Sequence, residues 1–163
     1  MKLITNLGGA DSPARTRAPE RGTFRVGAVQ TAWHRDAGEH RATLTAGVEL
    51  AARAGAQLVC LQELTLSPYF AIVPDGAEAL GVAAEPLPGG PTHAFAAELA
   101  ARFGLVVHAS LFEAAGEAEH PSVGAVPAGG GGFNTAIAVG PDGELLARTR
   151  KLHIPVTAGY YED

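Results

Sequence analysis

The apolar positions of the chain fall into short runs separated by segments of helical spacing. Phe24 to Thr31 (FRVGAVQT) is almost continuously small or apolar, with Val26 and Ala28 on one alternation and Val29 beside them, and predicts a strand buried on both faces. The period then changes. Leu44, Val48 and Ala51 or Ala52 recur at helical spacing behind Asp36, an N-cap candidate with Glu39 three residues on, and Gly55 supplies the stop, so this helix ends by about Ala54. Gln57 to Gln62 (QLVCLQ) predicts a second buried strand, which the chain leaves at Glu63 for a loop broken by Pro68. After the turn-rich connector Pro86 to Pro91, Thr92 as cap, Phe95, Leu99 and Phe103 on one stripe and Gly104 as terminator predict a second helix. Leu105 to Phe112 reads as a third strand. Phe133 to Gly140 and Glu144 to Arg150 form a hairpin around Pro141-Asp142-Gly143, whose residue types suit a tight turn.

Strand, helix, strand, helix, strand, hairpin is the order of an α/β layer domain, and the helical crossovers imply parallel pairing of the first three strands. Met1 to Thr23 has no continuous apolar segment and reads as a flexible leader, so the domain occupies residues 24–163. Gly116 to Gly132 is polar, glycine-rich and aperiodic, and within it Gly129 to Gly132 reads as a flexible linker rather than a phosphate-binding loop, because no Lys-Ser/Thr follows.

Composition narrows the partners. Of 163 residues 47% are hydrophobic and only 18% charged, and no apolar run approaches the length that spans a bilayer, so a soluble globular domain without a membrane partner is expected. A net charge of −5, with basic residues clustered only at Arg148 to Lys151, argues against nucleic acid and for a small-molecule partner. A single cysteine, Cys60, excludes an intrachain disulfide and suits the cytoplasm. The six histidines show no zinc-type spacing, so no metal is expected.

Three groups then stand out. Glu63 follows a buried strand, where open α/β sheets build their ligand sites; on that pattern alone it reads first as a loop cap or a surface partner of an arginine. Lys151 ends the hairpin and can present an ammonium to an oxyanion, or be one more exposed charge on an edge strand. Glu162, past Gly159-Tyr160-Tyr161, is by itself an ordinary solvated residue near the end of the sequence. Cys60, flanked by Val59 and Leu61 in mid-strand, reads as an inert buried thiol and not as a nucleophile.

Taken in order, FRVGAVQT, AGAQLVCLQELTLSPYF, EPLPGGPTHAFAAELAARFGLVVHASLFE and FNTAIAVGPDGELLARTRKLHIP resemble the carbon-nitrogen hydrolase family, the nitrilase superfamily, from Phe24 onward. The GYYE after KLHIP is most similar to members acting on N-carbamoyl amines. The resemblance implies a four-layer αββα sandwich, of which this chain supplies the N-terminal half, and a Glu-Lys-Cys triad with a second Glu. By motif these fall on Glu63, Lys151 and Glu162. The family cysteine follows a further strand beyond the lysine and falls on no residue of this chain, so the resemblance implies a truncated domain, inactive alone. It implies no cofactor, a small amide or carbamoyl amine as substrate, and a homo-oligomer at full length. Tyr69 and Phe70 are candidates to line an apolar substrate channel, and Glu113, at the end of the third strand, to receive a substrate ammonium. Other readings stay open: a β-ureidopropionase-like or general aliphatic amidase or nitrilase activity of the same family, a non-catalytic binding module that keeps the pocket walls, and a remnant that does not fold alone.

Overall fold

Two long helices, a one-turn helix and a five-stranded sheet are the main elements of the computed structural model, which describes residues 1–6, 20–115, 131–153 and 158–159. In chain order these are β1 (Val26–Ala28), α1 (Ala37–Arg53), β2 (Leu58–Cys60), a 3₁₀ turn (Phe70–Ile72), a one-turn helix α2 (Gly76–Ala79), α3 (Pro91–Phe103), β3 (Val106–Ala114), β4 (Gly132–Val139) and β5 (Leu145–Arg150). Most of the leader expected at residues 1–23, the glycine-rich segment up to residue 130 and Glu162 lie outside the described residues.

The helices begin and end where their capping chemistry puts them. The Asp36 carboxylate accepts the Glu39 backbone N–H at 2.7 Å, and Gly55, at φ +83°, takes the left-handed position just after α1. In α3 the expected cap is displaced. Gly90 occupies the N-cap and Pro91 the first helical position, where a missing N–H costs nothing, so Thr92 lies inside the first turn. Its N–H and hydroxyl both donate to the Glu85 carboxylate, at 2.7 and 2.8 Å. The acceptor that satisfies the first turn therefore comes from the preceding connector. Gly104, at φ +64°, closes α3 as expected.

The strands lie in the order β1-β2-β3-β4-β5. The first three are parallel, and β4 pairs antiparallel with both β3 and β5. Because β4 alone is reversed, β5 runs in the same direction as β1 to β3, and the four share one carboxyl end. Right-handed crossovers that step one way across a sheet place their helices on one face. Accordingly Leu44, Val48 and Ala51 of α1 and Phe95, Leu99 and Ala100 of α3 share one core with Val59, Val107, Ala109, Leu111, Ile137 and Val139. Leu44 and Leu99 are fully buried, each worth about 1.5–3 kcal/mol by transfer. Gly27 permits the close approach of α1, since a Cβ there would stand 2.8 Å from that of Ala51.

Coverage of one face corrects the expectation that the early strands are buried on both. Val26 is 60% exposed, Leu58 and Cys60 are half-buried, and only Val59 between them is fully enclosed. Cys60 is thus not an interior thiol but a half-buried one on the helix-free face. His108, Phe112, Asn134, Ala136 and Ala138 share this face, all half-buried.

Candidate active site

The loop after β2 folds across β3. Leu61 N–H still bonds to the His108 carbonyl at 2.9 Å, and the backbone then turns at Leu64, a non-glycine residue at φ +51°. That conformation costs roughly 1–2 kcal/mol and needs a surrounding that enforces it. The Leu64 side chain, 1% exposed, contributes burial of about the same size. Four residues from three elements supply the rest. Leu64 N–H donates to Ser110 Oγ (3.2 Å), Thr65 N–H to the Ser110 carbonyl (2.8 Å), Ser110 N–H to Thr65 Oγ1 (3.0 Å), and Thr65 Oγ1–H to the Gln62 carbonyl (2.8 Å). From α1, His40 Nε2–H donates to the Thr65 carbonyl at 2.9 Å. His40, Thr65 and Ser110 are all buried, so Glu63 projects from a turn clamped to β3.

This clamp lets distant strands meet. Three strand spacings of about 4.8 Å separate β2 from β5, roughly 14 Å in the plane of the sheet. With the loop carried over β3, Glu63 Oε1 lies 3.2 Å from Lys151 Nζ and 2.6 Å from Asn134 Nδ2. Lys151 N–H also donates to the Asn134 carbonyl at 2.8 Å, extending the β4–β5 ladder by one residue. The three side chains border a cleft of about 270 Å³ with His108, Ser110, Ala136 and Thr149 on the helix-free face, at the carboxyl ends of β2 and β5 and over the middle of β3. A carboxylate beside an ammonium at such a place can exchange a proton with one reacting atom and stabilise negative charge on another.

The other expected site residues are placed elsewhere. Phe70 is 6% exposed and packs edge-on against Phe112, ring centroids 5.1 Å apart, and neither it nor half-buried Tyr69 borders the cleft. Glu113 points to the opposite face of the sheet. It is 2% exposed, bound by Arg148, by Arg150 Nη2 at 2.8 Å and by Thr135 Oγ1 at 2.6 Å. Burial pushes its pKa up, but the Arg150 and Thr135 hydrogen bonds and the charges of both arginines outweigh this and hold it below the ordinary carboxylate value. With its oxygens so occupied, Glu113 does not receive a ligand in this cleft. Its sequence parity carried that signal, since it alternates with the core residues Val107, Ala109 and Leu111. Burial pushes the Cys60 thiol up, away from the reactive thiolate. Glu162 lies outside the described residues. Asn134 escaped the sequence reading, although it shares the parity of small, cleft-side Ala136 and Ala138. Among the described residues no three His, Cys, Asp or Glu side chains form a metal-binding group, and no helix is long and apolar enough to cross a membrane.

Fold and site together define an α/β domain with an acid–base pair at the carboxyl end of its strands. The profile of the carbon-nitrogen hydrolase family matches residues 25–163, and the chain belongs to that family. It is similar to the N-carbamoylputrescine amidases of Solanum lycopersicum and Solanum tuberosum, at 34% and 33% identity over 84% of this chain and 41% of each relative. The chain thus spans about two-fifths of the length of these curated relatives. Among solved structures it superimposes on a carbon-nitrogen hydrolase from Helicobacter pylori G27 with a TM-score of 0.63 at 26% identity, covering 85% of this chain and 43% of that one. Nit3 of Saccharomyces cerevisiae, a nitrilase superfamily member, matches in fold with a TM-score of 0.56 at 20% identity, covering 80% and 44%. The single helix layer on one sheet is accordingly half of the family's αββα sandwich.

Proposed function

We propose that the protein carrying this sequence hydrolyses the C–N bonds of an N-carbamoyl amine of the N-carbamoylputrescine type, with water, to the free amine, ammonia and carbon dioxide. The observation that carries the reading is the approach of Lys151 Nζ to 3.2 Å from Glu63 Oε1, between residues 88 apart in the chain. The two relatives named N-carbamoylputrescine amidase support the substrate class.

On this reading a cysteine thiolate attacks the carbamoyl carbon, and Glu63 takes the thiol proton and returns it to the leaving nitrogen. Glu63 then deprotonates the water that releases the thiocarbamoyl group as a carbamic acid, which breaks its remaining C–N bond by losing carbon dioxide, while Lys151 stabilises the oxyanion of each tetrahedral intermediate. Glu162 keeps Lys151 charged and oriented. Cys60 has no part in this, because it lies within β2 with its thiol pKa raised. None of these 163 residues is assigned the nucleophile's role.

Ammonia release from N-carbamoylputrescine tests the proposal. The 163-residue chain alone is expected to release none, whereas the chain continued by the remainder of its reading frame is expected to turn over. Glu63→Gln and Lys151→Ala should each abolish that turnover, since such groups act as a unit. Full activity in Glu63→Gln, or activity of the short chain that disappears in Cys60→Ala, would refute the assignment.

A further inference from the structure

Resting on the amidase reading of the cleft, we infer that Asn134 is a positioning residue that decides which oxygen of Glu63 serves as the base. The carboxylate has two oxygens, and its surroundings treat them differently. Oε1 accepts from Asn134 Nδ2 at 2.6 Å and from Lys151 Nζ at 3.2 Å. Oε2 accepts no hydrogen bond from any described residue. Since a carboxylate only accepts, the Asn134 amide nitrogen is the group turned toward it, and its orientation is fixed.

The contact does two things that Lys151 cannot do alone. An ammonium on a flexible four-carbon stem is a point charge that tolerates many carboxylate rotations, whereas an amide fixed on a strand is directional. Asn134 stands in the β3–β4–β5 ladder, opposite Phe112, and its own carbonyl accepts the Lys151 N–H at 2.8 Å. One residue therefore anchors the base through its side chain and the cation through its backbone. Glu63, whose side chain is 41% exposed, has no side-chain anchor besides Asn134 and Lys151 among the described residues. With Oε1 held, Oε2 stays free and is the oxygen presented for proton transfer.

Turnover and spectroscopy test this separately. In the protein continued to its full reading frame, Asn134→Ala and the near-isosteric Asn134→Asp are expected to lower kcat by about 10- to 100-fold with KM changed less than about 2-fold, as for a misaligned base. Loss of folded protein without loss of kcat per folded molecule would instead assign Asn134 a merely structural role and overturn the inference. In the unmutated chain, where Asn6 and Asn134 are the only asparagines, one Asn134 side-chain amide proton should resonate downfield and return to an ordinary position in Glu63→Ala. An unshifted resonance overturns it as well. If Glu63→Gln keeps full activity, the amidase reading itself fails. If Glu63→Gln is inactive while both Asn134 variants keep kcat, only the role of Asn134 fails.

Discussion

Replacing Thr65 by valine removes one hydroxyl from the turn that carries Glu63 and leaves the shape almost unchanged. That hydroxyl makes two bonds, accepting from Ser110 N–H at 3.0 Å and donating to the Gln62 carbonyl at 2.8 Å, and Thr65 is fully buried. Valine leaves the Ser110 N–H orphaned away from water, at about 1–3 kcal/mol, and forfeits the second bond, at about 1 kcal/mol. A total of roughly 2–4 kcal/mol follows, a large fraction of the 5–15 kcal/mol typical of a domain. At this chain length each kcal/mol lowers Tm by about 2–4 °C, so a fall of about 10 °C is expected, with a lower urea midpoint at constant m. Thr45→Val is the internal control. Its hydroxyl bonds only the Arg41 carbonyl one turn back in α1, at 2.8 Å and half-buried, so its effect should stay within about 0.5 kcal/mol. Equal midpoints for Thr65→Val and wild type, or equal losses for the two valine variants, would refute the clamp as the support of the Leu64 turn.

Two further outcomes follow from the ionisable groups outside the cleft. The folded-state pKa of Glu113 is below its ordinary 4.5, so its contribution to stability is present above that pH and is lost as pH falls through the lower folded value. Glu113→Gln should flatten this acid limb in urea titrations and cost about 3 kcal/mol at pH 7 by leaving Arg148 and Arg150 without their carboxylate; an unchanged acid limb would contradict it. Burial raises the Cys60 thiol pKa and so disfavours the reactive thiolate, and an aromatic disulfide reagent should label it at least severalfold more slowly in the folded than in the urea-unfolded chain. Equal rates would place the thiol in open solvent.

Much of the local architecture could be read from residue types. Asp36 with Glu39, Gly55, Gly104 and the Pro141-Asp142-Gly143 turn mark ends that depend on neighbours a few residues away, and the structure places them there. The cap of α3 departed from expectation because the acceptor for Thr92 is Glu85, seven residues upstream, beyond the reach of a local capping rule. The short strands were located correctly but their burial was not, because an apolar run does not say which face will be covered. The expectation that Glu113 receives a substrate ammonium fails, because its alternation with Val107, Ala109 and Leu111 turns it to the helix-covered face.

Sequence by itself determined the order of elements, the family and the candidate pair Glu63 and Lys151, because periodicity, caps and motifs are properties of neighbouring residues. Tertiary structure decided that α1 and α3 share one face, that the cleft opens on the other, that Glu113 is consumed by Arg148 and Arg150, and that Asn134 joins Glu63. The physical reason is that strand register and crossover handedness act over tens of residues. They bring together groups 88 positions apart, across about 14 Å of sheet, through a turn at Leu64 that only its packed surroundings hold in place.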